Sequence, residues 1–230
     1  IILSATLTKG RRIEMIGLEG NTADDISDAY PLISGKPFES PMVESPVSGA
    51  EQSSTLIRLE TDEASVLAEA VERAKDGEQV LWIENTVREA QDKYQVFVDD
   101  LDGADIEIGL LHSRFLPRHR REQEDYWVAI YGKEGKSARR RHGRILVGTQ
   151  VLEQSLDIDA DFLVSRLAPT DMLLQRTGRL WRHKDTVRSD SSSRQACILI
   201  PDRQIEDNGL VSVPPAFSGT FNVYFPYVLL

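Results

Sequence analysis

The block best suited to chemistry in this sequence is Gln175-Arg176-Thr177-Gly178-Arg179-Leu180-Trp181-Arg182-His183. Spacings of four and three residues bring Gln175, Arg179 and Arg182 to one face of an α-helix. Two guanidiniums on one face repel each other unless an anion lies between them, and a triphosphate is such an anion. An arginine in that place stabilises the charge on a transferred phosphoryl group. The block therefore predicts phosphoryl-transfer chemistry; the alternative is a basic helix end stabilised by the helix dipole.

Two further blocks place polar side chains where predicted strands end. The first is Gly148-Thr149-Gln150 and the second is His112-Ser113-Arg114. Open α/β sheets bind ligands beyond the carboxyl ends of their strands, so both blocks are candidate ligand contacts. Taken alone, each block is also compatible with an ordinary turn between a strand and a helix.

Short apolar runs alternate with amphipathic stretches, and this alternation is typical of a parallel sheet covered by helices. Helices are expected from a cap at Thr61 or Asp62 to about Lys75, over 87–101 after Asn85-Thr86, and over 171–181. Residues 18–54 are expected to form an extended connection or insertion, and residues 184–194 a mobile surface loop. Strands are predicted at 56–59, 80–83, 106–111, 144–148, 162–164 and 196–200.

Charge and composition limit the class of protein. The 230 residues carry a net charge of −10, which argues against a protein that coats nucleic acid through bulk positive charge. Residues 114–144 are locally basic, with ten Lys or Arg against four Asp or Glu, and Arg139, Arg140 and Arg141 are candidate phosphate contacts. The alternative is a solvated helix and loop. No apolar run is long enough for a membrane span.

Cys197 is the single cysteine, and it lies in the predicted strand Ala196-Cys197-Ile198-Leu199-Ile200. One cysteine excludes an intrachain disulfide and a cysteine-rich zinc site, so a reducing, cytoplasmic setting is expected. A thiol in such a strand is expected to be buried and inert. The apolar stretches at 1–3 and 227–230 suggest a piece of a longer protein.

Four blocks, in this order, resemble the motifs of superfamily 2 helicases, and the resemblance covers about residues 1–200. Within that superfamily, three segments look like the CRISPR-associated helicase-nuclease of type I interference systems, and most like a type I-E member. They are Tyr30-Pro31-Leu32, Leu110 to Phe115 and Gln175 to His183. The four blocks are Leu3-Ser4-Ala5-Thr6-Leu7 for motif III, 80–85 for motif IV, 148–157 for motif V and 175–182 for motif VI.

The resemblance implies a second RecA-like domain with ATP as the nucleotide and single-stranded DNA as the nucleic acid. Arg179 and Arg182 would reach the ATP γ-phosphate, and Gln175 would place the nucleotide or the attacking water. The resemblance also implies nucleotide binding for Asp157, Arg176 and Gly178. It implies nucleic-acid contact for Thr149, Gln150, His112, Ser113 and Arg114. Coupling of hydrolysis to strand movement is implied for Ser4 and Thr6.

The sequence lacks a phosphate-binding loop of the form Gly-x-x-x-x-Gly-Lys-Ser/Thr and an Asp-Glu-x-His box. ATP and Mg²⁺ would therefore be bound mainly by a first RecA-like domain elsewhere in the parent, and the isolated chain is expected to be inactive. None of its four histidines precedes Asp, so no metal site is assigned here and the His-Asp nuclease domain would also lie elsewhere. An RNA-guided surveillance complex is the expected partner, and no membrane is expected.

The expected domains are 1–17 as the end of a first RecA-like domain or an interdomain strand, 18–54 as the connection, 55–205 as the second RecA-like domain and 206–230 as a linker or accessory segment. Two rival functions remain open. One is the C-terminal domain of a DEAD/DEAH-type RNA helicase, and the other is a non-catalytic module that binds nucleic acid or protein.

Overall fold

The computed structural model describes most of the chain between Ser54 and Pro201 and shorter stretches outside it. The expectations for Ser4, Thr6, Arg140 and Arg141 fall outside the described residues. Contacts divide the chain into two units, 1–54 and 55–230. The described residues are 9–16, 26–27, 29, 32–35, 42–47, 54–101, 103, 105–135, 139, 142–153, 156–188, 192–201, 204–205 and 211–212.

The first unit contains helix α1 (Lys9–Ile16) and two antiparallel strands, β1 (Leu32–Gly35) and β2 (Val43–Pro46). Glu44 on β2 accepts hydrogen bonds from Arg12 Nη1 at 3.2 Å and from Ser34 Oγ at 3.0 Å. Both strands lie within the segment 18–54 that is expected to form an extended connection or insertion, and their short length leaves no clear periodicity in the sequence.

The second unit is built on a six-stranded parallel sheet, which confirms the predicted α/β class. Its strands are β3 (Leu56–Glu60), β4 (Gln79–Ile83), β5 (Ile106–Leu111), β6 (Gly143–Gly148), β7 (Phe162–Arg166) and β8 (Gln195–Leu199). The order across the sheet is β3-β8-β7-β4-β6-β5. The four central strands are buried on both faces, which explains their continuous apolar sequences. A short antiparallel pair follows along the chain, β9 (Gln204–Ile205) and β10 (Val211–Ser212).

Two helices, α2 (Glu63–Lys75) and α3 (Val87–Asp100), cover one face of the sheet. The carboxylate of Asp62 caps α2 by accepting the Ala64 amide at 3.1 Å, and Thr86 and Glu89 form a capping box that begins α3. Both predicted caps are confirmed. Trp82 on β4 packs edge-to-face against Phe97 of α3, with 5.3 Å between the ring centroids.

Helix α4 (Pro117–Tyr131) covers the opposite face and lies within the basic segment. Trp127 and Tyr131 of this helix are buried against the sheet. Gly109 on β5 allows this close packing, because a Cβ at that position would lie 2.1 Å from the Trp127 ring. None of the helices in the described part of the chain has the length and apolar content that a membrane span requires.

Helix α5 (Thr170–Thr177) ends four residues before the predicted end at 181. The Gly178 amide donates to the Leu174 carbonyl at 3.0 Å, and Arg179 lies in a turn. Trp181 then takes a left-handed backbone conformation with φ of 52°. The prediction that Gln175, Arg179 and Arg182 share one helical face is therefore wrong, because the two arginines lie beyond the helix.

We expect Cys197 to react with a thiol reagent only when the protein opens. The side chain on β8 is 0% exposed, which confirms the predicted burial, and burial raises the pKa of the thiol, so little thiolate is present at neutral pH. Labelling by an aromatic disulfide reagent, followed by absorbance, should be much slower in buffer than in guanidinium chloride. Equal rates in the two solutions would contradict the burial.

Candidate functional site

The guanidinium of Arg176 joins the ends of two strands, one turn and α5. Its Nε donates to Glu153 at 2.7 Å, and its Nη1 donates to Ser165 Oγ at 2.8 Å and to the Arg166 carbonyl at 3.1 Å. Its Nη2 donates to Asn85 Oδ1 at 3.1 Å. The side chain is 0% exposed and all three of its nitrogens have protein partners. The assignment of Arg176 as a nucleotide ligand is therefore wrong, and its role is structural.

A second buried arginine, Arg166, holds the end of β7 to the end of β4. Its Nε donates to Glu84 at 2.7 Å, and Glu84 also accepts the Trp82 indole N–H at 2.7 Å. Its Nη2 lies 2.7 Å from Glu63, which also pairs with Lys93. Burial alone would raise the pKa of Glu63, but the Arg166 and Lys93 charges lower it below its usual range. Glu63 therefore stays ionised at neutral pH.

Two residues predicted to contact nucleic acid lie at the turn after β6. Thr149 is 2% exposed, and its amide donates to the Leu111 carbonyl at 3.3 Å. Gln150 is half-buried, and its Nε2 donates to the Asn85 carbonyl at 3.1 Å. The burial of Thr149 corrects its assignment as a direct ligand, because the turn packs between neighbouring strand ends. Gln150 keeps an accessible part.

The loop after β5 presents two of its three predicted contacts to solvent. His112 is 4% exposed, stacks on Phe115 with 4.3 Å between ring centroids, and accepts the Arg114 amide on Nδ1 at 3.2 Å. Burial lowers the pKa of His112, so the ring is neutral at pH 7. Ser113 and Arg114 are exposed. His112 therefore supports the loop, which corrects its assignment as a contact.

Arg179 and Arg182 both lie in the segment that follows α5. Arg179 donates to the Leu156 and Glu153 carbonyls, each at 2.5 Å, and its pKa is lowered by burial and by the nearby Arg182 charge. Arg182 is partly exposed, and its Nε lies 3.1 Å from the Asp157 carboxylate. The structure thus joins three predicted residues, Asp157, Arg179 and Arg182, by a route other than the predicted helix face.

Gln175 and Gly178 lie on the approach to this turn. Gln175 is half-buried on α5, and Gly178 is exposed. A Cβ on Gly178 would lie 3.2 Å from the Gln175 carbonyl oxygen, and its φ of −64° suits any residue. Gly178 therefore has no backbone strain, and its implied role in nucleotide binding stays a prediction.

The basic segment contains buried as well as exposed cations. Arg139 is 5% exposed, and its Nη2 lies 2.8 Å from the Asp161 carboxylate, so its assignment as a phosphate contact is wrong. Arg144 is also buried, with its Nε 2.8 Å from Glu107. Arg118 and Arg120 pair with carboxylates on their own helix. The exposed cations include Arg114, Arg121 and Lys133.

Sequence reasoning missed a charged cluster at the amino end of β7. Asp159 and Asp161 are buried, and both pair with Arg139 and Arg188. Arg188 lies in the segment expected to be a mobile loop, and its guanidinium also lies 4.7 Å from the Trp181 ring centroid. That expectation is wrong for this residue. The available signal was the acidic alternation at 157, 159 and 161 directly before an apolar strand.

Comparison with known proteins identifies the domain. The family model described as CRISPR-associated nuclease/helicase Cas3, C-terminal, matches residues 76–185. The CRISPR-associated endonuclease/helicase Cas3 of Escherichia coli K12 is 35% identical over 214 residues, which is 88% of this chain and 24% of that protein. The six-stranded domain is the second RecA-like domain of a Cas3-family helicase.

Solved structures support the same assignment. The structure of Cas3 from T. fusca with ATP matches with a TM-score of 0.67 and 32% identity, covering 80% of this chain and 22% of that one. A chain in a CRISPR RNA-guided surveillance complex, pre-nicking, matches with a TM-score of 0.64 and 30% identity, covering 78% of this chain and 23% of that one. The chain thus spans about a quarter of the length of these matched proteins.

We expect Arg176→Ala to lower the free energy of unfolding by about 3–5 kcal/mol, because it leaves the buried Glu153 carboxylate without its partner. The double variant Arg176→Met/Glu153→Leu removes both charges at similar volume and should recover the part of that loss that comes from the unpaired carboxylate, while Asn85 and the Arg166 carbonyl still lose the donor that Arg176 supplied. Chemical denaturation with a tryptophan fluorescence readout would measure both. The exposed Arg88→Ala serves as the control, with no measurable change. Equal stability of Arg176→Ala and the unmodified protein would contradict the structural role.

Proposed function

We propose that this domain is the second motor domain of an ATP-dependent translocase that moves along single-stranded DNA in CRISPR interference. Arg179 and Arg182 would contact the γ-phosphate of an ATP held by a first RecA-like domain. The observation that carries this proposal is that both arginines lie in the segment after α5, where the Arg182 side chain is partly exposed and its charge lowers the pKa of Arg179. A phosphate between two such charges would relieve their repulsion.

Arg182 is the residue of the pair that is available to an incoming anion. Its only side-chain ion pair among the described residues is with Asp157, and both side chains are more than two-fifths exposed. A surface ion pair of this kind is weak and can exchange its carboxylate for a phosphate oxygen. Arg179 is bound to two carbonyls of the turn before β7, so ATP contact would connect that turn to the nucleotide.

Gln175 and Asp157 would complete the nucleotide side of the site. Gln175 precedes the turn on α5, where its amide can orient the nucleotide or the attacking water. Asp157 would hold Arg182 in place before ATP binds, and then contact the ribose or the other domain. Mg²⁺ would neutralise phosphate charge when bound, but its ligands would come from the first domain, because this chain has no phosphate-binding loop.

The DNA contacts would come from a few exposed groups at the carboxyl edge of the sheet and near it. Ser113 and Arg114 extend from the loop after β5, and Gln150 borders the neighbouring turn. Arg140 and Arg141 remain proposed phosphate contacts, and Ser4 and Thr6 remain the proposed coupling residues. A chain of net charge −10 binds DNA only through such local positive groups.

The remaining partners are proposed from the relatives. One solved relative is part of an RNA-guided surveillance complex, and we propose the same kind of partner for the parent of this chain. Displaced DNA would be pulled toward a His-Asp nuclease domain of the same parent. The isolated chain would hydrolyse no ATP, since the phosphate-binding loop and the Mg²⁺ ligands lie outside it.

We expect Arg182→Ala, and separately Arg179→Ala, to lower the kcat of DNA-stimulated ATP hydrolysis by about 10³-fold or more in the full-length protein, because each removes a charge from the transition state. Steady-state phosphate release would measure the rate, and thermal melting would check the fold. Arg88→Ala, an exposed arginine on α3, is the control and should keep the normal rate. Normal turnover in Arg182→Ala would remove it from the mechanism.

We expect the double variant Arg114→Ala/Arg121→Ala to weaken binding of the full-length protein to single-stranded DNA. The dependence of log K on log salt should flatten by up to about 0.7 for each phosphate that the variant no longer binds. Fluorescence anisotropy with an unstructured oligonucleotide at several salt concentrations would measure it, with Arg88→Ala as the control. An unchanged slope would mean that this basic segment is only a solvated surface. Tighter binding to an RNA oligonucleotide than to DNA would favour the RNA-helicase alternative.

A further inference from the structure

The residue before Arg182 has a strained backbone. Trp181 has φ of 52°, a left-handed conformation that is uncommon and energetically unfavourable for a bulky side chain. Its amide donates to the Ala160 carbonyl at 3.0 Å, and its indole N–H donates to the Asp161 carbonyl at 3.0 Å. Such a conformation persists only where the surroundings hold it, and it directs the chain that carries Arg182.

The side chain of Asp159 holds the chain immediately after this strained residue. Asp159 is 0% exposed, and its Oδ1 accepts the Arg182 backbone amide at 2.8 Å. Its Oδ2 accepts the Thr186 hydroxyl at 2.7 Å. Arg188 Nη2 donates to Oδ1 at 2.5 Å. One buried carboxylate therefore fixes both the start and the continuation of the segment 182–188.

We propose that Asp159 is a positioning residue for Arg182: its carboxylate fixes the Arg182 main chain, and with it the place from which the guanidinium reaches the γ-phosphate. This inference rests on the proposed role of Arg182 in ATP hydrolysis. Asp157 pairs with the Arg182 side chain, whereas Asp159 binds the Arg182 backbone. The two carboxylates therefore act on different parts of the same residue.

Asp161 provides a matched comparison in the same cluster. It is also buried, it pairs with the same two arginines, Arg139 and Arg188, and its Oδ2 accepts the Gln79 amide at 2.8 Å. Its side chain makes no hydrogen bond to Arg182 among the described residues. Its contact with Trp181 uses the backbone carbonyl, which a substitution of the side chain leaves in place. Loss of either carboxylate thus removes a similar charge, but only Asp159 supports Arg182.

A charge-balanced background keeps these variants folded. Arg188→Met deletes one guanidinium, so that replacing one aspartate by Leu leaves Arg139 paired with the other aspartate. Exchange of a buried ion pair for apolar residues of similar volume is often neutral for stability. The full-length protein would carry Arg188→Met combined with Asp159→Leu, with Asp161→Leu or with Asp159→Asn, and all three would be compared with Arg188→Met alone.

We expect Asp159→Leu to lower the kcat of DNA-stimulated ATP hydrolysis by about 100-fold in this background, the scale of a small misplacement of a catalytic group. KM for ATP should change by less than about threefold, because ground-state binding relies on the first domain. Asp161→Leu should keep kcat within about threefold of the background. Asp159→Asn should do the same, because the Asn Oδ1 can still accept the Arg182 amide.

Equal losses of kcat in Asp159→Leu and Asp161→Leu, or a normal kcat in Asp159→Leu, would overturn the inference. If Asp159→Leu does not fold, Asp159→Ala takes its place, because it removes the same acceptor without adding bulk: a loss of kcat that Asp161→Ala does not share supports the role, and equal values of kcat in the two Ala variants overturn it. Arg182→Ala is measured alongside. Normal turnover in Arg182→Ala would overturn the proposed function itself, whereas a loss there with a normal Asp159→Leu would overturn only the positioning role.

Discussion

The buried guanidinium of Arg176 is the interaction on which the carboxyl edge of the sheet depends. Burial of a charged side chain away from water costs several kcal/mol unless its N–H donors find acceptors. The acceptors here are Glu153, Ser165, Asn85 and the Arg166 carbonyl. These partners come from the end of β4, the turn after β6 and β7. The three segments are therefore held in one arrangement, and the turn that begins at Thr149 has little freedom to move alone.

Burial separates the arginines of this domain into two groups. Arg139, Arg144, Arg166 and Arg176 are buried and paired with carboxylates, so their charges are neutralised inside the protein. In the proposed function, the more exposed arginines, such as those at 114, 121 and 182, would contact phosphate. This division reconciles an acidic chain with a proposed DNA motor, because binding depends on where cations are placed more than on their number.

The charged clusters at the two ends of β7 hold two parts of the chain, the turn after β6 and the segment that follows α5. At one end, Arg176 holds Glu153 of the turn after β6; at the other, Asp159 holds the backbone of Arg182. The left-handed residue Trp181 lies between these anchors, where the chain has left α5. The two clusters thus hold the turn after β6 and the segment that follows α5 at opposite ends of β7. In the proposed function, this attachment would connect the nucleotide site with the nucleic-acid site.

The parallel sheet, the caps at Asp62 and Thr86 and the burial of Cys197 could be predicted from sequence alone, because apolar runs and capping residues are local signals. The block that carries the candidate arginines could be found in the same way. The end of α5 at Thr177 could be learned only from the folded domain, since contacts from Ala160, Asp159 and Arg188 hold the turn that follows. The folded domain alone also shows which arginines are buried, because an arginine's partners lie far away in sequence and no periodicity reports them.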